Sequence, residues 1–228
     1  MTFGPLPSAA GPTLRRPSPR LRRRAVPGAR DCLALAALWL DYPDDGLVAR
    51  RADLLATAWA LPPSRPARRL VEFGQWFAAA DPARLRVDYV ETFDHRRRAA
   101  LYVTFARAGD SRRRGVALLA FQRLYADWGY RAREDELPDY LPTVLQFAAL
   151  APAEASATAL AWARPGVEQI AGGLVAAKSP WAPLLAAVEG CLPDPDPTAD
   201  FWAIAGQPGA LEEQVAVCAA AEREGLRR

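Results

Sequence analysis

The sequence predicts an all-α protein, a helical bundle with proline-broken connections. Three observations carry this. Apolar residues recur at helical spacing, most clearly Leu118, Phe121, Tyr125 and Trp128 at i, i+3, i+7 and i+10. No stretch alternates apolar and polar residues with period two, and no hairpin turn signal is present. Proline and glycine punctuate the apolar segments at Tyr42-Pro43, Pro62-Pro63, Asp81-Pro82 and Gly129.

The elements follow in order. A first helix is expected over 31–41, ending before Pro43 because a residue preceding proline is pushed out of the helical region. A second is expected over 47–60, stopped by Pro62-Pro63. The third, near Pro66, carries Leu70, Phe73, Trp76 and Phe77 on one face. Asp81-Pro82 opens the next as N-cap acid and first-turn proline, presenting Leu85, Tyr89 and, further on, Phe93. After the apolar run 101–105, Gly109-Asp110 reads as a turn and 112–128 as a helix ended by Gly129. An acidic patch, Glu134 to Glu136, leads into a helix within LPDYLPTVLQFAAL. Helices near 153–163, 167–177 and 183–191 follow, then a Pro/Asp linker over 192–197 and a last helix near 211–224. Domain organisation is expected as a basic tail (1–30), a helical domain (31–193), and a linker with a terminal helix (194–228).

Composition narrows the function. The chain has 228 residues, 24% charged and 51% apolar, as in ordinary globular proteins. Its net charge of +3 is uneven, since residues 1–30 hold seven arginines and no acid. The remainder carries 22 basic and 26 acidic residues, a mildly acidic body. A nucleic-acid binder would put its positive charge on the folded surface. Six prolines and the arginines of the tail oppose helix formation there. No apolar run approaches the length of about 18 residues that spans a bilayer. Cys32, Cys191 and Cys218 are scattered and odd in number, against a disulfide framework or a zinc or iron–sulfur site. A reducing cytoplasm is the expected location.

No catalytic template is present: no P-loop, dinucleotide fingerprint, nucleophile elbow or His-Glu-x-x-His. The single histidine, His95, sits in a charged run beside Arg96–Arg98. No cofactor is expected. The informative segment is YVETFDHRRRAALYVTFARAGDSRRRG, residues 89–115, in which two arginine triplets bracket the run 101–105. Arg112–Arg114 fall in a first helical turn, where cations oppose the macrodipole. Asp94 and Asp110 are therefore expected to organise Arg96–Arg98, Arg112 and Arg114 into a polar cluster beside an apolar groove. Tyr89, Tyr102 and Tyr125, with polar tips on apolar bodies, are expected to line its opening. The alternative is a helical regulatory or nucleic-acid-binding module that sets the arginine triplets on phosphates.

The motifs YVETFD-x-RRR-x-x-LY, GD-x-R-x-RG, L-x-x-F-x-x-x-Y and DELPD-x-LP-x-VL resemble the NarJ family. These are molybdenum-cofactor assembly chaperones, or delta subunits, of respiratory nitrate reductase, within the TorD-like group. The resemblance extends over about 32–193. It implies an all-helical cytoplasmic chaperone with no catalysis of its own. Its implied partner is the nitrate reductase alpha subunit, bound by its N-terminal leader, with molybdenum cofactor biosynthesis proteins as further partners. Motif positions here are Tyr89, Phe93, Asp94, Arg97, Leu101 and Tyr102, then Asp110, Arg112, Arg114, Phe121 and Tyr125. Glu136, Leu137, Pro138, Asp139 and Leu141 complete the set. The chain departs from the family pattern at Tyr140, often histidine, and at Gln146, usually glutamate. The mode implied is an amphipathic leader helix laid in an apolar groove and steered by acids such as Glu134–Glu136.

Overall fold

A computed structural model of the chain describes residues 26–94, 99–105, 112–133 and 135–194. Among them are nine α-helices: α1 Ala29–Trp39, α2 Asp45–Ala49, α3 Arg51–Ala60, α4 Arg65–Ala79, α5 Pro82–Tyr89, α6 Arg112–Asp127, α7 Leu141–Leu150, α8 Ala153–Ala176 and α9 Ala182–Cys191. A π-helical turn, Val90–Asp94, extends α5. The only β-type pairing among the described residues is one antiparallel bridge, Tyr102 with Tyr140. The protein is all-α, as the periodicity requires. The last helix expected near 211–224 lies outside the described residues.

Capping residues start the helices where their chemistry predicts. Asp44, Ser64 and Asp81 each accept a hydrogen bond from the backbone N–H three residues on, at 2.7, 3.2 and 3.0 Å. Gly129, at φ +78°, ends α6. There Tyr130 N–H bonds the Tyr125 carbonyl at 2.9 Å and Gly129 N–H bonds that of Ala126 at 3.0 Å, a Schellman closure.

α1 is the central element, buried on nearly every side. Cys32, Leu33, Leu35, Ala36, Ala37 and Trp39 are all inside, and the helix packs on α7, α9, α4 and α3. A helix apolar all round belongs in a core. α4 packs on α3 and α9, and α8 packs on α7 and α9. The aromatic centre joins Trp39, Phe73, Phe77 and Trp181, all fully buried.

Three expectations need correction. The segment 47–60 is two helices, because the backbone at Arg50 relaxes to φ −92°, ψ 5° and interrupts the ladder. An ordinary helix former stands there, so no residue type announces the break. The helices near 153–163 and 167–177 are one, α8, running through Pro165. Leu160, Ala163, Val167 and Ile170 bury on both sides of the proline, and their combined burial outweighs its cost of about 3 kcal/mol. In α6 the buried face is Ala117, Ala120, Phe121, Leu124 and Tyr125, whereas Leu118 and Trp128 are only half-buried. The stripe is turned about one position from the expected one.

The π turn has a physical reason. Leu85, Tyr89 and Phe93 are spaced by four, slightly more than an α-turn allows. A wider turn brings Phe93 back under Tyr89, with ring centroids 4.9 Å apart and both side chains buried.

Candidate functional site

The motif residues meet where the irregular segment 99–105 crosses the loop before α7. Leu141 N–H donates to the Leu101 carbonyl at 2.7 Å, and Val103 N–H donates to that of Asp139 at 3.0 Å. The side chain of Asp139, completely buried, locks this crossing. Its Oδ2 accepts from the Thr104 hydroxyl at 2.5 Å and from the Thr104 N–H at 3.3 Å. Arg114, from the first turn of α6, faces Oδ1 at 3.8 Å. Burial pushes the Asp139 carboxyl above its ordinary range, with Thr104 and Arg114 pulling it back. The Arg114 guanidinium also lies over the rings of Tyr102, at 5.6 Å, and Phe105, at 5.4 Å. Tyr125 donates to the Pro138 carbonyl at 2.7 Å, fixing the same loop from below.

Above this clasp runs a continuous line of tyrosines. Tyr42 stands edge-on to Tyr89, centroids 5.6 Å apart. The Tyr89 hydroxyl donates to the Leu40 carbonyl at 2.9 Å and lies 3.3 Å from that of Tyr140. Tyr140 packs on Tyr102 at 5.5 Å, and the Tyr102 hydroxyl donates to Glu136 at 3.1 Å. Burial and the Glu136 carboxylate raise the Tyr102 phenol to about 12. Burial drives the Tyr89 and Tyr140 phenols upward as well, so all three are neutral hydrogen-bonding groups at pH 7. The outer ends of the line are open, with Tyr42 46% and Leu137 40% exposed.

Carboxylates flank the tyrosines. Asp41, directly after α1, is half-buried, and its Oδ2 has no hydrogen-bond partner among the described residues. Burial raises its carboxyl to about 6, with Asp44 and Glu136 adding to the effect and Arg133 opposing it. Arg86 holds the loop that carries Asp41, through the Pro43 carbonyl at 3.1 Å and an ion pair to Asp45. The linkage sign follows directly. Between the unfolded value of 3.8 and the folded value near 6, the native state keeps a proton the unfolded chain has released. Stability contributed by Asp41 therefore falls as pH rises through that window. Asp41→Asn is expected to stabilise the fold at pH 7 by about 1–2 kcal/mol, after discounting for partial exposure. It should also flatten the decline between pH 4 and 6, which urea titrations across that range would measure.

The positions carried by the motifs separate into two groups. Tyr89, Phe93, Leu101, Phe121, Tyr125, Pro138, Asp139 and Leu141 are buried and hold the crossing together. Tyr102, Arg114 and Glu136 are half-buried, while Asp94 and Leu137 are exposed. Arg97 and Asp110 lie outside the described residues, as do Glu134 and the side chain of Arg112. The expectation that Tyr125 and Tyr89 open onto a groove is corrected, since both point inward onto backbone carbonyls. Arg114 reaches Asp139, a partner absent from the expected Asp94–Asp110 cluster. Asp41, Tyr42 and Thr104 were missed. For Asp41 and Tyr42 the available signal was an acid and an aromatic just before Pro43, at the exit of an apolar helix.

Comparison with known families completes the picture. Residues 62–187, more than half of the chain, match the family described as nitrate reductase delta subunit. The match begins after α3 and contains the whole clasp, whereas the resemblance read from the sequence reaches back to about residue 32. A comparison with curated proteins finds no match. No helix among the described residues is long and apolar enough to cross a membrane. With its motif block folded into one interlocked crossing, this chain belongs to the nitrate reductase delta subunit family.

Proposed function

We propose that the protein is an assembly chaperone for respiratory nitrate reductase, which binds the N-terminal leader of the apo alpha subunit and holds it for molybdenum cofactor insertion. The observation that carries this reading is the partly open aromatic surface of Tyr42, Tyr140 and Tyr102, backed by the buried Tyr89, with Asp41 and Glu136 along it. Such a surface suits an amphipathic, basic peptide. Aromatic faces accept its apolar side chains, and carboxylates attract its cations. Three or four buried leader side chains would contribute roughly 5–10 kcal/mol gross. Ordering the peptide and losing its free motion removes much of that. The result is a reversible complex, as a chaperone that must release its client requires. The buried clasp below supports the surface and needs no contact with the client. The expected place of action is the cytoplasm.

The test is calorimetry with a synthetic alpha-subunit leader. Micromolar binding that weakens with added salt is expected, and Tyr42→Ala or Glu136→Gln should each weaken it about tenfold without lowering the melting temperature. Affinity should also fall as pH drops through about 6, where Asp41 takes up a proton and loses its attraction for a cation. Absence of binding at these concentrations, or binding indifferent to both substitutions, refutes the proposal.

A further inference from the structure

We propose that residues 14–24 of this chain are a built-in competitor for the leader, lying across Tyr42, Tyr140 and Tyr102 until a client displaces them. The inference rests on the leader-binding reading of that surface and adds its regulation. Charge is the first support. Asp41 and Glu136 are half-buried there and Asp44 is exposed, and Asp41 Oδ2 has no hydrogen-bond partner among the described residues. The cations beside them are already engaged, Arg86 in an ion pair with Asp45 and Arg133 in one with Asp135. Residues 14–24 read LRRPSPRLRRR, six arginines with Leu14 and Leu21 and no acid. That is the chemistry asked of a leader, cations for the carboxylates and apolar side chains for the aromatic faces. The other terminal segment, 195–228, holds six acids against three arginines and has the wrong sign for this surface.

Reach is the second. The described chain starts at Val26, in the turn before α1. Asp41 follows the other end of that helix, which has 11 residues, so the two ends stand about 16 Å apart. Leu14 lies twelve positions before Val26 and can reach roughly 35 Å from it, at about 3.1 Å per residue. The segment is therefore long enough to pass round the helices that enclose α1. Tethering sets its effective concentration at the surface in about the millimolar range. Contacts too weak to hold a free peptide then suffice to cover the aromatic surface. A leader has to displace the arm, so its apparent affinity is reduced by the fraction of molecules in which the surface is open.

The test places photoreactive benzoylphenylalanine at position 14 of the full-length chain, in place of Leu14, and maps its cross-links by peptide mass spectrometry with no leader present. Expected are intramolecular links to the peptides carrying Asp41 to Pro43 or Glu136 to Tyr140. They should vanish when Arg15, Arg16, Arg20, Arg22, Arg23 and Arg24 are all changed to Gln. Links confined to the exposed Trp59 on α3, to residues 195–228 or to a second molecule overturn the proposal. So does the absence of any link, or a pattern indifferent to the six substitutions. Calorimetry with the synthetic alpha-subunit leader is the second readout. The substituted full-length chain should bind it at least about fivefold more tightly than the natural one, with the same melting temperature. Equal or weaker affinity overturns the competition. If neither chain binds the leader, the leader-binding reading fails, and the cross-link map still decides whether the arm lies on this surface.

Discussion

Trp181→Ala is expected to cost about 3–5 kcal/mol of stability, the range for removing a large buried aromatic. Trp181 has no exposed surface and stands where α4, α9 and the π turn converge. Its ring lies 5.1 Å from those of Phe73 and Phe93, 5.5 Å from Tyr89 and 5.7 Å from Trp76. Rings at these separations, edge-on for Phe93, Tyr89 and Trp76 and tilted for Phe73, add contact energy beyond the area they remove from water. A methyl group in that place leaves a void bounded by rings from α4, α5 and the π turn. Such a void collapses poorly. Urea unfolding followed by circular dichroism gives the cost without using tryptophan as the probe, and Trp181→Phe should recover part of it. A loss below about 1 kcal/mol for the alanine variant would show that the aromatic centre is looser than its geometry states.

The second large effect is expected from a single methyl group. Gly166 lies in α8 where the turn at Val103 passes over it. A Cβ there would stand 2.3 Å from the Val103 carbonyl oxygen and 2.5 Å from Val103 Cα. These are backbone atoms, so no rotamer change relieves the clash. Nor is Val103 free to retreat, because its N–H is held by the main-chain carbonyl of Asp139 and its neighbour Thr104 by the Asp139 carboxylate. Either α8 moves outward or the clasp opens. Gly166→Ala should cost about 3 kcal/mol or more and should increase hydrogen exchange at the Val103 and Leu141 amides. Gly172→Ala, in the same helix with nothing within 4 Å, is the matched control. It should be neutral or stabilising by up to about 1 kcal/mol, as expected for replacing glycine in a helix. Equal stability of the two variants would mean that α8 and the segment 101–104 are not pressed together.

These two positions also show how much the chain announces about itself. Nothing in the local sequence distinguishes Gly166 from Gly172, or Trp181 from the half-buried Trp76. Helix starts are a different matter. Asp44, Ser64 and Asp81 act within three residues of themselves, and so they are legible in a string of letters. Gly129 is legible for the same reason, since the left-handed turn it needs is a property of one residue.

The helical class, the caps and the family membership are thus readable from the string alone, because capping, periodicity and a contiguous motif are short-range or linear properties. The roles of the motif residues are not. Tyr89 and Tyr125 carry the same side chain as Tyr102, yet two are sealed against carbonyls and one faces outward. Pro165 reads as a helix boundary until the apolar residues on both sides of it find a common core. Arg114 finds Asp139 twenty-five positions away, and Tyr89 finds the Leu40 carbonyl across forty-nine. Pairings of that kind depend on which surfaces exclude water against one another, and only the packed helices specify them.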